Sequence, residues 1–590
     1  MRTVAALLYA ASSSVVAAFV LAFATGGLDS RSAAVALLAG VCVFAGVLWN
    51  ERRQPWPSQS VKGWAWVPVV IFTLFSLRAF LWLIFREAGS IKVLSPNNLG
   101  DLALHLTYIE HIANGAAFWP QNPIYSGGSL TYPIGVDLIN SLLLLVGVDV
   151  LRGLIWVGLI GCLCTGVALW RWGGGFTLAG FLFNGGLFGF AYFATGRIED
   201  YQSDMAWKSI PLALFITQRG FLFALPAGLL LLTSWRDRFF HSDAGARTLP
   251  RWGETLLYAT MPIFHLHTFL FLSLLLGIWF VLYPTARRHL ALVVGIAFLP
   301  ATVLVLLVTG MLRGASMLGW KAGWMQDDPA FLKFLEDSIG ALPWIATMPL
   351  FWILNFGALP LFVGWLCVHL ARKKPSSAAA AFVFPAVGTF IVCCFVKFAP
   401  WEWDNTKLMI WSYLTVLPFL WSEIISRWTQ PLRAAACAAL FTSGFISLIG
   451  GLDSRHTGHE IAVRHDLDHV RKAVAGVPVA ERFIGWPTYN HPLLLLGRPM
   501  ALGYPGHVWT HGLALEHPLA LVTSVMNGAP DWREHAAALQ ARFLFWGGEE
   551  RENYPESSQP WRTTAALVAG GEWGEIYDLA SPPTAEQASP

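Results

Sequence analysis

Apolar residues form long uninterrupted runs along most of the chain, and polar residues are confined to short stretches between them. Runs of roughly 17 to 25 residues, the length that crosses a hydrocarbon core of roughly 30 Å, recur from Val4 to Leu452. This pattern predicts about 11 to 13 membrane helices. The predicted spans are residues 4–26, 33–49, 64–86, 135–150, 153–170, 174–194, 207–233, 254–284, 289–310, 345–371, 378–397, 408–427 and 434–452.

The pattern changes after Leu452, where charged residues and prolines occur throughout and no run is long enough to span a membrane. Short apolar runs at residues 482–486 and 541–548 predict buried strands, and amphipathic stretches in the same region predict helices. The predicted fold class is therefore mainly α. It comprises a polytopic transmembrane helical bundle over residues 1–452 and a small soluble α/β domain over residues 453–590.

Composition agrees with a membrane protein. Hydrophobic residues make up 55% of the 590 residues and charged residues 13%, with a mean hydropathy of +0.53, which is too apolar for a water-soluble chain. The net charge of +3 gives no indication of a nucleic-acid partner. All seven cysteines fall inside predicted spans, which excludes a disulfide framework for the soluble domain.

Lysines and arginines in short loops predict the orientation. The basic stretches that we expect in the cytoplasm are residues 51–62, 287–288, 372–374 and 427–433. Alternation of the spans then places the loop 87–134 and the C-terminal domain on the extracytoplasmic side, and a bacterial inner membrane is the expected location. The basic stretch 236–251 conflicts with this alternation, so the topology of residues 174–284 stays open.

The loop 87–134 concentrates polar chemistry between two apolar runs. Residues 98–113 have helical spacing, with an apolar stripe that we expect to lie on the membrane surface. Asp101, His105 and Tyr108 follow at i, i+4 and i+7, which places them in one polar row beside that stripe. An acid in the first turn of a helix is also a common stabilising feature that needs no chemistry. Both interpretations of Asp101 stay open on spacing alone.

The next segment is a Gly- and Pro-rich loop, NPIYSGGSLTYPIG, in which Tyr132 and Pro133 lead into an apolar run. This order resembles the GT-C superfamily of polytopic glycosyltransferases, whose first large extracytoplasmic loop carries a catalytic acid near its start. The resemblance implies that Asp101 is the catalytic base. Many members have two adjacent acids, whereas Asp101 lies between Gly100 and Leu102 here, so a divalent metal would have no clear ligand set.

The resemblance also implies the reaction. A sugar would move from a polyprenyl-phosphate or diphosphate donor to an acceptor hydroxyl on the extracytoplasmic side, with inversion at the anomeric carbon. Such a transfer needs a base for the acceptor proton and a cation for the departing phosphate. His105, one helical turn from Asp101, is expected to hold it or share its proton. The implied partners are the lipid-linked donor, a glycan, lipid or protein acceptor, and membrane lipids.

Other polar side chains interrupt apolar segments, where such groups usually have a partner or a function. A guanidinium or an ammonium suits a lipid phosphate, and tryptophans suit a sugar face or an isoprenoid. The donor-binding residues that we predict are Arg219, Lys407, Trp403, Asp404, Asn405, His265 and His267. An interfacial aromatic belt with a snorkelling lysine, and hydrogen bonds between helices, are the simpler alternatives.

The tail segment 485–512 is rich in Gly, Pro, His and aromatic residues. It resembles the C-terminal domains of many GT-C enzymes, which help to bind the acceptor. The acceptor-binding residues that we predict are His491, Arg498, Tyr504, His507 and His511. Packing in a turn-rich segment explains these residues nearly as well.

Two other classes of function remain as alternatives. The main one is a membrane transporter or lipid flippase that uses the charged intramembrane residues as a substrate path. Many transporters carry an internal two-fold repeat, and none is visible in this sequence. The other is a non-catalytic scaffold, or a transferase of another group such as an acyl chain.

Overall fold

The computed structural model describes residues 2–51, 61–203, 205–240, 248–312, 318–340, 342–373, 377–452 and 457–583. Parts of the basic stretches and of the predicted soluble domain lie outside these residues. They are residues 52–60, 241–247, 374, 453–456 and 584–590.

Helices build the part of the chain before Leu452. They are α1 Arg2–Thr25, α2 Ser30–Glu51, α3 Trp66–Leu81, α4 Asn98–Ala113, α5 Gly135–Leu145, α6 Val150–Leu182, α7 Tyr192–Thr195, α8 Phe221–Phe239, α9 Arg251–Phe264, α10 Leu266–Leu282, α11 Pro284–Val308, α12 Pro329–Ser338, α13 Trp344–Phe356, α14 Leu359–Ala371, α15 Ala378–Cys393, α16 Thr406–Glu423 and α17 Gln430–Gly451. Among the described residues, seven helices are long and apolar enough to cross a membrane, or eight if the bent pair α13–α14 is one span. Shorter apolar helices, α5, α10 and α15, accompany them. The chain is thus a polytopic helical membrane protein.

The tail folds as a small α/β unit. Its helices are α18 Arg464–Ala473, α19 Pro492–Leu495, α20 Pro505–Thr510, α21 Glu516–Asn527, α22 Trp532–Ala538, α23 Gly548–Asn553 and α24 Trp561–Thr564. The strands of the whole chain are β1 Ile84–Glu87, β2 Ser90–Val93, β3 Gly319–Trp320, β4 Val396–Lys397, β5 His459–Val463, β6 Phe483–Ile484, β7 Phe543–Gly547, β8 Ala566–Gly571 and β9 Gly574–Asp578. The tail sheet has the order β6-β7-β9-β8, with β6 parallel to β7 and the other pairs antiparallel. Both apolar runs that predicted strands contain one.

The tail is joined to the first large loop by backbone pairing. Strand β5 of the tail adds to the hairpin β1-β2, which precedes α4. Farther along, Met500 N donates to Pro123 O at 2.9 Å, and Gly503 N donates to Ile124 O at 2.8 Å. The loop and the tail therefore pack as one layer, and the division at residue 452 stays a prediction.

Helix α4 is enclosed between α5 and the tail. The side chains from Leu102 to Ile112 are buried. On one side, Ser141 Oγ donates to Ile109 O at 3.0 Å, and on the other, Asn114 Nδ2 donates to Leu496 O at 2.8 Å. The expectation of a helix lying on the membrane surface is wrong, because the side chains from Leu102 to Ile112 are buried inside the protein.

The predicted spans between residues 135 and 284 also change. Helix α5 has 11 residues, roughly 16 Å of helix, which is too short to cross. Residues 153–194 were predicted as two spans, and most of them belong to α6, which consists of two helices joined at Gly173 and Gly174, close to the predicted boundary. Gly174 has φ 67° and ψ −156°, a conformation that requires glycine. The single span predicted at 254–284 is two helices, α9 and α10, which meet at His265.

These changes explain the conflict over the basic stretch 236–251. Arg236 Nη1 donates to Trp172 O at 2.8 Å. Arg236 and Glu423 line one cavity, and Lys373 Nζ lies 2.6 Å from the Glu423 carboxylate. We call this part of the molecule the basic end. The hydroxyls of Tyr258 on α9 and Ser273 on α10 lie 2.9 Å apart, so α10 folds back along α9. Because α5 does not cross either, residues 236–240 and 248–251 lie at the basic end with Lys373 and Arg427. That the basic end faces the cytoplasm stays a prediction.

Candidate active site

A polar cavity lies next to the N-terminal end of α4, at the opposite end of α16 from the basic end. Its volume is about 580 Å³, within the range of small-molecule sites. The lining residues come from the segments 127–133, 218–220, 264–267, 308–311, 398–407 and 510–514. The first large loop, the membrane helices and the tail therefore all contribute to one chamber.

Asp101 lies in the first turn of α4, as both interpretations of the sequence require. It stands beside three residues that line the cavity, Tyr132, Asp404 and Lys407, and each of these pairs interacts electrostatically. Burial raises the pKa of the Asp101 carboxyl, and the nearby His105 and Lys407 oppose this rise. The carboxylate is therefore a stronger base than an exposed aspartate.

His105 is held by an acid that the sequence interpretation missed. Its Nδ1 donates to Asp137, both of whose carboxylate oxygens lie 2.9 Å away. The two side chains are 2% and 1% exposed, so the pair is fixed and Nε2 is turned away from Asp137. Asp137 is the acid in the apolar helix GVDLINSLLLL. A lone charge in such a segment usually has a partner, and that signal could have identified it.

Lys407 begins α16 and points to the cavity. Its Nζ lies 3.0 Å from Asp404 Oδ1, and both residues line the chamber. Lys407 is the one lysine or arginine among the described lining residues. The side chains of Lys407 and Asp404 are 12% and 19% exposed. The ammonium is paired with this single carboxylate, so it can also meet an anion that enters the cavity.

Trp403 and Asn405 hold the loop that carries this pair. Trp403 Nε1 donates to Ala206 O at 3.1 Å, and the fully buried Asn405 donates to Cys393 O at 3.0 Å and to Val396 O at 2.7 Å. Asn405 Oδ1 also accepts from Phe398 N at 2.8 Å. Both residues thus place Asp404 and Lys407 through backbone contacts, while any contact with a donor stays a prediction.

His265 and His267 both line the cavity, at the break between α9 and α10. His265 Nδ1 accepts from Thr268 N at 3.1 Å and lies 2.8 Å from Thr268 Oγ1. Trp411 Nε1 donates to that same hydroxyl at 2.7 Å, so the hydroxyl proton is directed to Nδ1. The ring proton of His265 is then on Nε2, which is buried without a partner among the described residues. That N–H can donate to a ligand oxygen.

Arg219 points toward α6 and away from the cavity that its neighbours Gln218 and Gly220 line. Its side chain is 1% exposed, and Nη2 donates to Leu154 O at 2.9 Å. Its Nη1 would lie 3.2 Å from a methyl group at Gly158. Arg219 is therefore in the protein interior near Asp137 and is not among the described lining residues of the cavity, and its contact with a donor phosphate stays a prediction.

Three of the predicted acceptor residues, Tyr504, His507 and His511, lie on α20 or at its ends. His511 lines the cavity and packs on Tyr132 with ring centroids 5.1 Å apart. His507 Nε2 would lie 3.3 Å from a methyl group at Gly100, next to Asp101. Burial lowers the pKa of His507 to about 3 and that of His511 to about 4, so both are neutral at pH 7. Tyr504 is 39% exposed and packs edge-on against His507.

The other two predicted acceptor residues hold the tail together. His491 Nε2 donates to Glu550 Oε1 at 3.1 Å, and its Nδ1 accepts from Leu493 N at 3.2 Å. Arg498 donates to Val477 O at 2.7 Å and to Val474 O at 2.8 Å, after the end of α18. These contacts give both residues a structural part, and neither lines the chamber among the described residues.

Buried polar atoms without partners surround the chamber. Thr131 Oγ1, His265 Nε2 and His511 Nδ1 belong to three lining residues and have no hydrogen-bond partner among the described residues. Such atoms are costly unless a water or a ligand meets them. No group of three or more His, Cys, Asp or Glu side chains in the described part of the chain is placed to hold a metal ion.

Comparison with known proteins gives matches only among solved structures: no protein-family model and no curated protein matches the chain. The apo oligosaccharyltransferase of Archaeoglobus fulgidus has a TM-score of 0.47 and 12% identity, over 85% of this chain and 73% of that chain. AglB of the same organism, in complex with an inhibitory peptide and a dolichol-phosphate, has a TM-score of 0.45 and 12% identity, over 85% and 72% of the two chains. ArnT from Cupriavidus metallidurans, in the apo state, has a TM-score of 0.41 and 12% identity, over 90% and 100%.

Proposed function

We propose that the chain is an integral-membrane glycosyltransferase of the GT-C type, which moves a sugar from a polyprenyl-phosphate or diphosphate to an acceptor hydroxyl. One observation carries the proposal. A partly buried carboxyl, Asp101, and an ammonium, Lys407, stand together beside a polar cavity of about 580 Å³. This pairing supplies a base for the acceptor and a cation for the departing phosphate.

A second observation supports a lipid-linked donor. An apolar groove of about 540 Å³ runs along α10 and α15 from Lys373 at the basic end to Phe398. Phe398 also lines the polar cavity, so the groove and the cavity meet there. An isoprenoid chain in the groove would bring its phosphate to Lys407, where the unpartnered Nε2–H of His265 donates to a phosphate oxygen.

The proposed reaction is a single displacement with inversion. The acceptor oxygen attacks the anomeric carbon as the bond from that carbon to the phosphate oxygen breaks. The acceptor proton passes to Asp101, and the phosphate leaves with its negative charge next to Lys407. The His105–Asp137 pair fixes one wall beside Asp101, which limits how far the carboxyl can turn.

The tail is proposed to take part in acceptor binding through His507 and His511, which are neutral at pH 7 and can accept or donate hydrogen bonds. The acceptor would enter between the tail and the loop 398–407. We further propose that this side is extracytoplasmic, that the membrane is a bacterial inner membrane, and that residues 453–590 form the extracytoplasmic domain.

Transfer in proteoliposomes tests the proposal. Purified chain is incubated with radiolabelled polyprenyl-phosphate sugars and a membrane extract as the acceptor source, and the label in the glycan, lipid and protein fractions is counted. The Asp101→Asn variant is expected to lose transfer. Asp468→Asn is the matched control, because Asp468 is an exposed acid of the tail with a 3.6 Å contact to Arg464. Lipid movement between leaflets with no sugar transfer would favour the flippase instead, and equal transfer by both variants would refute Asp101 as the base.

A further inference from the structure

A second cavity with arginines on its wall lies at the basic end, far from the candidate active site. Its volume is about 590 Å³, and its lining includes Arg171, Arg236, Trp170, Trp421 and Glu423. Tryptophans and basic side chains together are typical of the headgroup region of a membrane. The lining of this cavity therefore suits a lipid phosphate.

The two arginines turn into the molecule. The side chains of Arg171 and Arg236 are each 14% exposed, whereas Arg427 at the same end is 53% exposed. A basic side chain that only snorkels extends into water, as Arg427 does. Arg236 is held inward by Trp172, through the carbonyl at 2.8 Å and the ring at 4.6 Å, whereas the inward direction of Arg171 needs another explanation.

Arg171 is incompletely bonded. Its Nη2 has a long contact of 3.4 Å to Asp237 Oδ2, a carboxylate that Arg236 also contacts at 3.3 Å. Arg171 Nε is buried and has no hydrogen-bond partner among the described residues. A guanidinium has five N–H donors in a planar fork, so Arg171 retains donors for an anion.

The acid in the cavity wall does not cancel this charge. Glu423 is bonded to Lys373 at 2.6 Å and to Arg427 at 2.7 Å, so two cations already neutralise it. Gly173 and Gly174 also line the cavity, and the helical conformation of α6 resumes directly after them. The first turn of a helix presents N–H groups and a positive dipole end, which adds to the attraction for an anion.

We propose that this cavity binds a phosphate ester, the phosphate of an anionic membrane lipid, with Arg171 as the main ligand. The site is independent of the proposed transferase reaction, because its residues are separated from Lys407 by the length of α16. Free inorganic phosphate has the same chemistry, and the experiment distinguishes the two sources. Arg236, which contacts the same Asp237 carboxylate as Arg171, stabilises the phosphate from beside Arg171 while it holds Trp172 O at 2.8 Å.

Native mass spectrometry of the full chain in detergent tests the proposal. Phosphatidylglycerol is titrated against phosphatidylcholine, and bound lipids are counted for the wild type, Arg171→Gln, Arg171→Lys and Arg288→Gln. Arg288 is exposed on α11, so its variant removes one positive charge outside the cavity. Thermal unfolding of each variant without lipid, with and without inorganic phosphate, identifies a folding defect and binding of the free anion.

We expect Arg171→Gln to bind the tightest phosphatidylglycerol about tenfold more weakly or worse, as for the loss of one charge-assisted donor group. Arg171→Lys should retain part of the affinity, and Arg288→Gln all of it. Stabilisation by inorganic phosphate that depends on Arg171, without a matching lipid effect, would assign the site to the free anion and overturn the lipid. Equal binding of lipid and of phosphate by Arg171→Gln and the wild type would overturn the site altogether.

Discussion

The substitution Asp101→Asn separates catalysis from binding more sharply than any other change in the candidate active site. The amide keeps the size of the side chain and removes both the negative charge and the ability to take a proton. A general base contributes roughly 10² to 10⁴ in rate, which is about 3 to 5 kcal/mol of barrier. We expect kcat to fall by that factor.

The affinity for the donor should not fall together with kcat. Asp101 interacts with Lys407, so its charge opposes the approach of a phosphate to that ammonium. The variant should therefore bind the donor as tightly as the wild type or more tightly, as measured by the Kd for a labelled polyprenyl-phosphate. Weaker donor binding with an unchanged kcat would refute the assignment of Asp101 as the base.

The same substitution has a consequence for stability. Burial raises the pKa of Asp101 in the folded protein, so the folded state binds a proton more readily than the unfolded state does. The ionised carboxyl therefore costs stability above the raised pKa, and this cost disappears as the pH falls through it. Asp101→Asn should unfold at a higher temperature than the wild type at pH 7, and the difference should shrink toward acidic pH. A variant that is less stable at pH 7 would contradict the buried, charged state.

Three other changes test the remaining features. Lys407→Met should raise the KM for the donor by roughly 10- to 100-fold, because one charged hydrogen bond is lost. Lys333→Met, which changes an exposed lysine of α12, should leave the KM unchanged. Equal KM values for the two variants would exclude Lys407 from the donor site. Asp137→Asn should lower kcat by at least about tenfold and change the pH profile of kcat, because His105 loses the charge that orients its ring at 2.9 Å. An unchanged pH profile would mean that the His105–Asp137 pair has only a structural role. Gly174→Ala should cost about 1 to 3 kcal/mol of stability, read from thermal unfolding, because alanine disfavours φ 67°. Gly295→Ala, with open space around it, should have no such effect, and equal melting would contradict the strain at Gly174.

The membrane part of the fold was predictable from apolar runs, but the crossings near α5 and α9 were not. The length of an apolar run indicates how much apolar surface a segment has, but not whether that surface meets lipid or protein. Helix α5 is apolar because it packs on α4 and α6, not because it crosses lipid. The bend of 105° between α13 and α14 depends on Gly357, with φ 60°. The sequence contains many glycines, and only tertiary packing decides which one turns the chain.

The candidate site was predictable where a polar residue interrupted an apolar run, as at His265 and Lys407. Arg219 meets the same criterion, yet its guanidinium is bonded to the carbonyl of Leu154. A costly buried charge needs a partner, but the sequence does not say whether that partner is a ligand or the backbone. For Asp137 the partner, His105, lies 32 residues away, so their pairing emerges only when α4 and α5 pack.

The pairing of the tail with the first loop governs how the protein matures. Synthesis completes α4 nearly 400 residues before Leu496 and Gly497, which cover one of its sides, and such distant contacts form late in folding. During that interval a nascent chain has its membrane helices, but the tail does not yet cover α4 and the candidate active site. We therefore expect the candidate active site to be complete only after the final quarter of the polypeptide has been made, and a chain truncated before the tail to lack that site.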